Sequence, residues 1–279
     1  MKFLVTGAKG QLGVDVIKLL LERTTEYKGV DVDDFDITNK DAVAACVQAY
    51  KPDTVIHCAA YTAVDAAEDN AELCMRVNGV GTENIALACR EINAEMLYIS
   101  TDYVFNGEGN TPYETDAPKG PLQVYGRSKL AGEEAVLRNL EKYYIVRTSW
   151  VFGENGSNFV KTMLRLSQTK DEVSVVDDQI GSPTYTPDLA ALLCNMAISK
   201  KYGIYHATNE GFCSWAEFAQ EIMRLSRSKC KVKPIPTEQY PAKATRPKNS
   251  RMSKVSLDNA GLARLPEWKD ALTRYLESY

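Results

Sequence analysis

The stretch "FLVTGAKGQLGVDVI", residues 3–17, is an apolar run, a turn with three glycines, and an amphipathic run. It reads as strand, turn and helix. Gly7, Gly10 and Gly13 follow a GxxGxxG pattern. Glycine lets the turn tighten and lets backbone approach a pyrophosphate. The helix start then offers free N–H groups and the positive end of its dipole. Three glycines alone are a weak signal, but directly after a first strand they predict a dinucleotide site. Such a site expects an acidic residue about 20 positions on. "GVDVDDFDIT", residues 29–38, supplies Asp31 at the end of a second strand, placed for ribose hydroxyls. A carboxylate there repels the 2′-phosphate that distinguishes NADPH from NADH. Asp36 and Ile37 are set to flank the adenine, while Asp33 and Asp34 read as a surface turn.

Outward from this unit the same rhythm continues. "TVIHCAA" (54–60), "EMLYIST" (95–101) and "YYIVRTSW" (143–150) are short β-rich runs. Between and around them, 11–22, 41–50 and 73–92 carry helical patterns. Alternation of this kind predicts an α/β fold with a doubly wound parallel sheet. After Trp150 the rhythm loosens. Helices are expected at 188–199, 214–226 and 267–278, and the Pro-rich basic stretch 232–252 reads as a loop or lid. The expectation is a nucleotide-binding domain over 1–150, with a return to it over roughly 170–205. A smaller, interleaved substrate domain then occupies most of 151–279.

Composition narrows the function. Of 279 residues 44% are hydrophobic and 25% charged, the balance of an ordinary globular protein. A net charge of -4 and a pI of about 5.4 argue against nucleic acid, which needs a basic footprint. No apolar run is long enough to span a bilayer, and "MKFLVTGAKG" has no signal-peptide core. Seven cysteines without a CxxC read as reduced thiols in a cytoplasmic protein. Only His57 and His206 are present, which disfavours a zinc site or a histidine triad.

Two further places carry chemistry. Small residues from Cys58 to Ala60 would let a cofactor lie against a strand end, where ligands sit in open α/β sheets. The next strand ends in Ser100, Thr101 and Asp102, and about 24 residues on stand Tyr125 and Lys129. Positions i and i+4 share a helix face. A lysine ammonium near a tyrosine stabilises the phenolate and lowers a pKa that is about 10 in isolation. The tyrosine is then able to exchange a proton near neutral pH, and Thr101 can hydrogen-bond the same substrate oxygen. A bare YxxxK is common. Glycine turn, strand-end hydroxyl and YxxxK in this order are not.

With these residues in place the chain resembles the extended short-chain dehydrogenase/reductases, and more narrowly the dTDP-4-dehydrorhamnose reductase family. The matching stretches include "TGAKGQLG", "DFDITN", "ISTDYVFNG", "YGRSKLAGE", "VRTSWVFG", "VVDDQIGSPTYTPDLA" and "RPKNSRM". They run through most of the chain in the family's order. The resemblance implies a Rossmann domain with a C-terminal sugar-nucleotide domain. It implies reduction, by NADH or NADPH, of the C4 ketone of dTDP-4-dehydro-6-deoxy-L-mannose to dTDP-L-rhamnose. Thr101, Tyr125 and Lys129 become the catalytic trio. Gly7, Gly10, Gln11 and Leu12 fall to the pyrophosphate, and Asp31, Asp36 and Ile37 to the adenosine half. Ala59, Ala60, Tyr61, Thr62 and Ile99 line the cofactor path, and Asn78 matches a structural and proton-relay asparagine. Asp102 and Trp150 contact substrate, and Arg246 and Arg251 are candidates for its phosphates, which guanidinium forks fit.

The chain departs from the family pattern at His57, Cys58 and Tyr61. Some relatives form a Mg²⁺-linked dimer through interface glutamates, and Asp15 stands at one such place. Monomer and homodimer therefore stay open, and the chemistry requires no metal. Two other readings share the fold. One is a non-catalytic dinucleotide-binding regulatory subunit, such as the one paired with methionine adenosyltransferase. The other is a different nucleotide-sugar reductase or epimerase.

Overall fold

The computed structural model describes residues 1–278. Its centre is a six-stranded parallel sheet. The strands are β1 (Lys2–Thr6), β2 (Glu26–Val30), β3 (Thr54–His57), β4 (Glu95–Thr101) and β5 (Tyr143–Thr148), with a sixth at Gly203–His206. The order across the sheet is sixth strand, β5, β4, β3, β1, β2. The chain winds one way from β1 to β2, then crosses to the far side of β1 for β3 and onward. The β1/β3 boundary is therefore the topological switch point, the place where open α/β sheets bind ligands.

Period-two geometry explains how one strand feeds two cores. Phe3 and Val5 face one layer with Leu12, Val16, Leu189 and Leu193. Leu4 faces the other with Val43, Val55, Ile85 and Val136. Both faces are covered, so β1 is apolar throughout rather than alternating. The first layer is built by the helices Gln11–Glu22 and Thr186–Ser199. Helices Lys40–Tyr50, Thr82–Glu91 and Val124–Asn139 build the second.

A separate core holds the smaller lobe, where Phe152, Val160, Val173, Phe218, Ile222, Trp268 and Leu272 cluster. Its helices Phe159–Ser167, Trp215–Leu225 and Trp268–Ser278 surround a parallel pair, Glu172–Val176 with Lys231–Ile235. The return expected over 170–205 thus begins later. Val173 and Val175 point into the small-lobe core, and the chain rejoins the large sheet only with the Thr186–Ser199 helix and the Gly203–His206 strand. A second return follows at Val255–Asn259, where Leu257 joins the first sheet layer. The basic stretch 232–252 is likewise not all loop, because its start completes the Lys231–Ile235 strand.

The helical pattern over 73–92 is interrupted. Ala71–Met75 and Thr82–Glu91 are α-helical, but Arg76–Gly81 winds as a π-helix. Such wide turns mark functional positions often, and this one carries Asn78. No helix among the described residues is long and apolar enough to cross a membrane.

Candidate active site

At the switch point the sheet opens into a cleft of about 930 Å³. Its floor is the glycine turn. Gly7 has φ +66°, and a Cβ there would lie 2.6 Å from the Ala59 amide nitrogen. A Cβ on Gly13 would lie 2.1 Å from the Gly7 carbonyl oxygen. Only glycine allows β1, the turn and the segment after β3 to meet this closely. The helix beginning at Gln11 has Gly10 as its N-cap and no side-chain cap. Its first N–H groups are thus left for a ligand, an arrangement that suits an anion.

At the adenosine end, Asp31 Oδ2 accepts the Lys9 backbone N–H at 2.8 Å, and Oδ1 accepts that of Val32 at 2.8 Å. Asp31 therefore ties the glycine turn to the end of β2. The Lys9 ammonium pairs with Asp33. Asp36 and Ile37 complete this end of the cleft.

Thr101, the last residue of β4, caps the short turn Asp102–Val104 by accepting the Tyr103 N–H at 3.2 Å, and it donates to Asp102 Oδ1 at 2.9 Å. The adjacent Tyr125 and Lys129 project from the helix Val124–Asn139. The Lys129 ammonium lies 4.2 Å from the centre of the Tyr98 ring, a cation–π contact. Burial lowers the Lys129 pKa to about 7, with Glu133 opposing the shift. Burial and the nearby Asp102 raise Tyr125 above its ordinary value, and Thr101 opposes them. Burial also lifts Asp102 to about 6.

The expected depression of the tyrosine by its lysine is not what the cleft produces. Removing water penalises phenolate and ammonium alike, and burial is the largest cause of both shifts. At neutral pH Tyr125 is a protonated phenol, the form that can give a proton.

Asn78 stands behind the site, 1% exposed. Its Oδ1 accepts the Tyr61 N–H at 2.8 Å. Its Nδ2 donates to the Tyr61 carbonyl at 3.0 Å and to Ser128 Oγ at 2.9 Å. One amide thereby pins the segment after β3 to the helix that carries Tyr125. Ser128 and Gly126 serve packing rather than ligand approach. A Cβ on Gly126 would lie 2.2 Å from the Tyr103 carbonyl oxygen.

Most residues anticipated from sequence converge here: Gly7, Gly10, Gln11, Leu12, Asp31, Asp36, Ile37, Ala59, Ala60, Thr62, Ile99, Thr101, Asp102, Tyr125, Lys129 and Trp150 all line the cleft. Tyr61 and Asn78 support it from behind. Arg246 and Arg251 lie elsewhere. Arg246 lines a second cleft of about 630 Å³ and pairs with Asp65 at 2.7 Å. Arg251 lines neither cleft and donates to Asn249 Oδ1 at 3.0 Å. His57 faces away, between Thr6 Oγ1 at 2.6 Å and Thr82 Oγ1 at 3.2 Å. Asp15 is turned inward and accepts from the Thr186 hydroxyl.

Trp215 was not anticipated. Its ring stacks on Trp150 with centroids 3.7 Å apart, and both line the cleft from the small-lobe side. Its "SW" at a helix start carried only a capping pattern, and no local pattern joins it to Trp150.

A parallel sheet with a glycine turn at its switch point and a Thr–Tyr–Lys cluster at its strand ends defines the short-chain dehydrogenase/reductase class of oxidoreductases. Within that class the chain belongs to the RmlD substrate binding domain family, which it matches over residues 1–279. It is 44% identical over 279 residues to a dTDP-4-dehydrorhamnose reductase of Streptomyces griseus, covering 98% of this chain and 92% of the relative. It is 43% identical over 276 residues to the spore coat polysaccharide biosynthesis protein SpsK of Bacillus subtilis, covering 99% and 97%. A crystal structure of dTDP-4-dehydrorhamnose reductase from Bacillus anthracis in complex with NADP superposes with a TM-score of 0.97. That protein is 42% identical, with 100% of this chain and 99% of the other covered.

Proposed function

We propose that this chain reduces the C4 ketone of dTDP-4-dehydro-6-deoxy-L-mannose to the alcohol of dTDP-L-rhamnose, with NADH or NADPH as reductant. The observation that carries the reading is the convergence of Thr101, Tyr125 and Lys129 with the glycine turn in one cleft, in a chain similar to these reductases over its full length.

The residues fit a dinucleotide. A Cβ would fill the cradle at Gly7, and the helix start at Gln11, which has no side-chain cap, would face the pyrophosphate. Gly10, Gln11 and Leu12 would hold the phosphates, Asp31 the adenine ribose, and Lys129 the nicotinamide ribose. The NADP complex of the Bacillus anthracis protein supports a dinucleotide in this cleft. When bound, the reduced nicotinamide supplies the hydride to the ketone carbon.

The chain's own residues do the rest. Tyr125 donates to the ketone oxygen, and Thr101 would turn its hydroxyl proton from Asp102 Oδ1 to the same oxygen, so that the two hold the ketone in place. As the carbon gains hydride, the oxygen gains negative charge and takes the phenolic proton of Tyr125. The Lys129 charge stabilises the phenolate left behind. Trp150 and Trp215 close the site from the small lobe and exclude water from the sugar side. Arg246 is the candidate for the substrate phosphates. One of its terminal nitrogens, Nη1, is buried without a hydrogen-bond partner.

Tyr125→Phe tests the reading. Loss of the proton donor should lower kcat by about 10²-fold or more. Near wild-type turnover with the chemical step limiting would reject Tyr125 as the donor.

A further inference from the structure

Beneath the Tyr125–Lys129 pair lies a buried ion pair that the reduction described above does not use. Glu133 is on the same helix, one turn beyond Lys129 and on the same face. Its Oε1 accepts from Ser100 Oγ at 2.5 Å and from Arg147 Nε at 2.8 Å. Its Oε2 accepts from Arg147 Nη2 at 2.7 Å. The three residues are 1%, 2% and 0% exposed for Glu133, Ser100 and Arg147. Ser100 immediately precedes Thr101 at the end of β4, and Arg147 precedes Thr148 at the end of β5. Both threonines line the cleft. Arg147 is further held by the Thr115 carbonyl at 2.8 Å.

Burying two charges is costly, and apolar residues of the same volume commonly serve stability as well or better. Stability is therefore a poor reason for this pair. Its placement supplies a better one. We propose that Glu133 is a positioning residue for the reduction. Its carboxylate ties the helix of Tyr125 and Lys129 to the ends of β4 and β5, and it places an anion one helical turn from Lys129.

The surroundings of Lys129 leave this task to Glu133. On β3 and just after it stand His57 and Cys58, on β4 Tyr98, and on the Ala71–Met75 helix Cys74. Burial lowers His57 to about 3 and raises Cys58 to about 12, and it raises Cys74 and Tyr98 as well. All four are neutral at physiological pH. Arg147 and Lys119 are the cations that face Glu133. Among the groups that act on Lys129, Glu133 is the carboxylate.

The test uses Glu133→Gln and the double variant Glu133→Gln/Arg147→Met. The double variant removes both charges together and leaves no uncompensated ion if the single variant does not fold. Lys129 is titrated by NMR in protein carrying ¹³C-labelled lysine, with its resonance assigned by its absence from Lys129→Met. The cofactor-free protein should show the Lys129 midpoint lower by about one pH unit or more in Glu133→Gln, and lower by less in the double variant, where loss of the Arg147 cation acts the other way. With cofactor and substrate saturating, the alkaline limb of the kcat profile should move down in step. At pH 8 the loss should approach about tenfold, and at pH 6 much of it should be recovered. Ser100→Ala, which keeps the charge, should lower kcat without moving the limb.

An unchanged Lys129 midpoint in Glu133→Gln overturns the proposal; if that variant does not fold, a double-variant midpoint no lower than wild type overturns it. The inference rests on the proposed reduction, and the two fail differently. An unshifted midpoint refutes the role of Glu133 even in an active enzyme. A shifted midpoint in a protein that reduces no sugar nucleotide refutes the reduction alone.

Discussion

Gly132→Ala should damage catalysis through a position that touches neither cofactor nor substrate. Gly132 lies on the catalytic helix one turn after Ser128. A Cβ there would sit 2.2 Å from the Tyr98 hydroxyl oxygen and 2.6 Å from the Asn78 carbonyl oxygen. Ordinary van der Waals contact begins at 3.4 Å, so the helix must lift by about 1 Å, because the packed interior has no slack to absorb the methyl group. Two costs follow. Overpacking of this kind destabilises by about 1–3 kcal/mol. A misplacement of about 1 Å in a reacting group lowers turnover by about 10²-fold. Tyr98 also donates its hydroxyl to the Lys129 carbonyl at 3.1 Å, so the same movement disturbs the seat of Lys129. Thermal unfolding and steady-state kcat measured on one preparation read both effects. Adding Tyr98→Phe removes the nearest clash but leaves the Asn78 carbonyl in place, so rescue should be partial. A Gly132→Ala protein with wild-type melting temperature and kcat would refute the claim that close helix–strand contact sets the catalytic geometry.

Other perturbations follow from the same geometry. Lys129→Met should abolish turnover yet raise the melting temperature near neutral pH, since it removes a desolvated amine. The unfolded lysine keeps its proton to about 10.4, whereas the folded one loses it near 7. Between those values the unfolded state binds more protons, so wild-type stability rises with pH and the gap to Lys129→Met should narrow on titration upward through that window. Asp31→Ala removes a carboxylate from the adenosine end and should shift the kcat/KM ratio toward NADPH by about tenfold. An unchanged ratio would exclude Asp31 as the discriminating group. Arg246→Ala should raise the KM for the dTDP-sugar with little change in kcat, and an unchanged KM would remove Arg246 from the phosphate site.

The nucleotide half of this protein is legible because its signals are local. The glycine turn, the acidic end of β2 and the spacing of Tyr125 and Lys129 each lie within one βα unit or one helical turn. What escaped reading is tertiary. Trp150 and Trp215 meet through pairings between segments distant in sequence, Val151–Phe152 with Thr184–Tyr185 and Cys213–Ser214 with Ile180–Gly181. Arg147 sits inside an apolar strand run, 14 residues after the glutamate that neutralises it. The π-helical turn at Arg76–Gly81 looks like ordinary helix in sequence, and its use becomes visible only when Asn78 is seen clamping Tyr61 and Ser128. The direction of the Tyr125 shift is not legible from spacing, which shows the lysine but not the loss of water around both groups. An alternating five-residue strand such as Glu172–Val176 does not specify in sequence which core its valines enter.

The central claim is a stoichiometric reduction, and it is tested most directly at the nicotinamide absorbance band. The protein is mixed with dTDP-4-dehydro-6-deoxy-L-mannose and with NADH or NADPH in turn. One reduced cofactor should be lost per dTDP-L-rhamnose formed, with the oxidised cofactor released and turnover lowered by about 10²-fold or more in Tyr125→Phe. No cofactor oxidation with either nucleotide, or a sugar product formed while the cofactor stays bound and unchanged in net oxidation state, would contradict it.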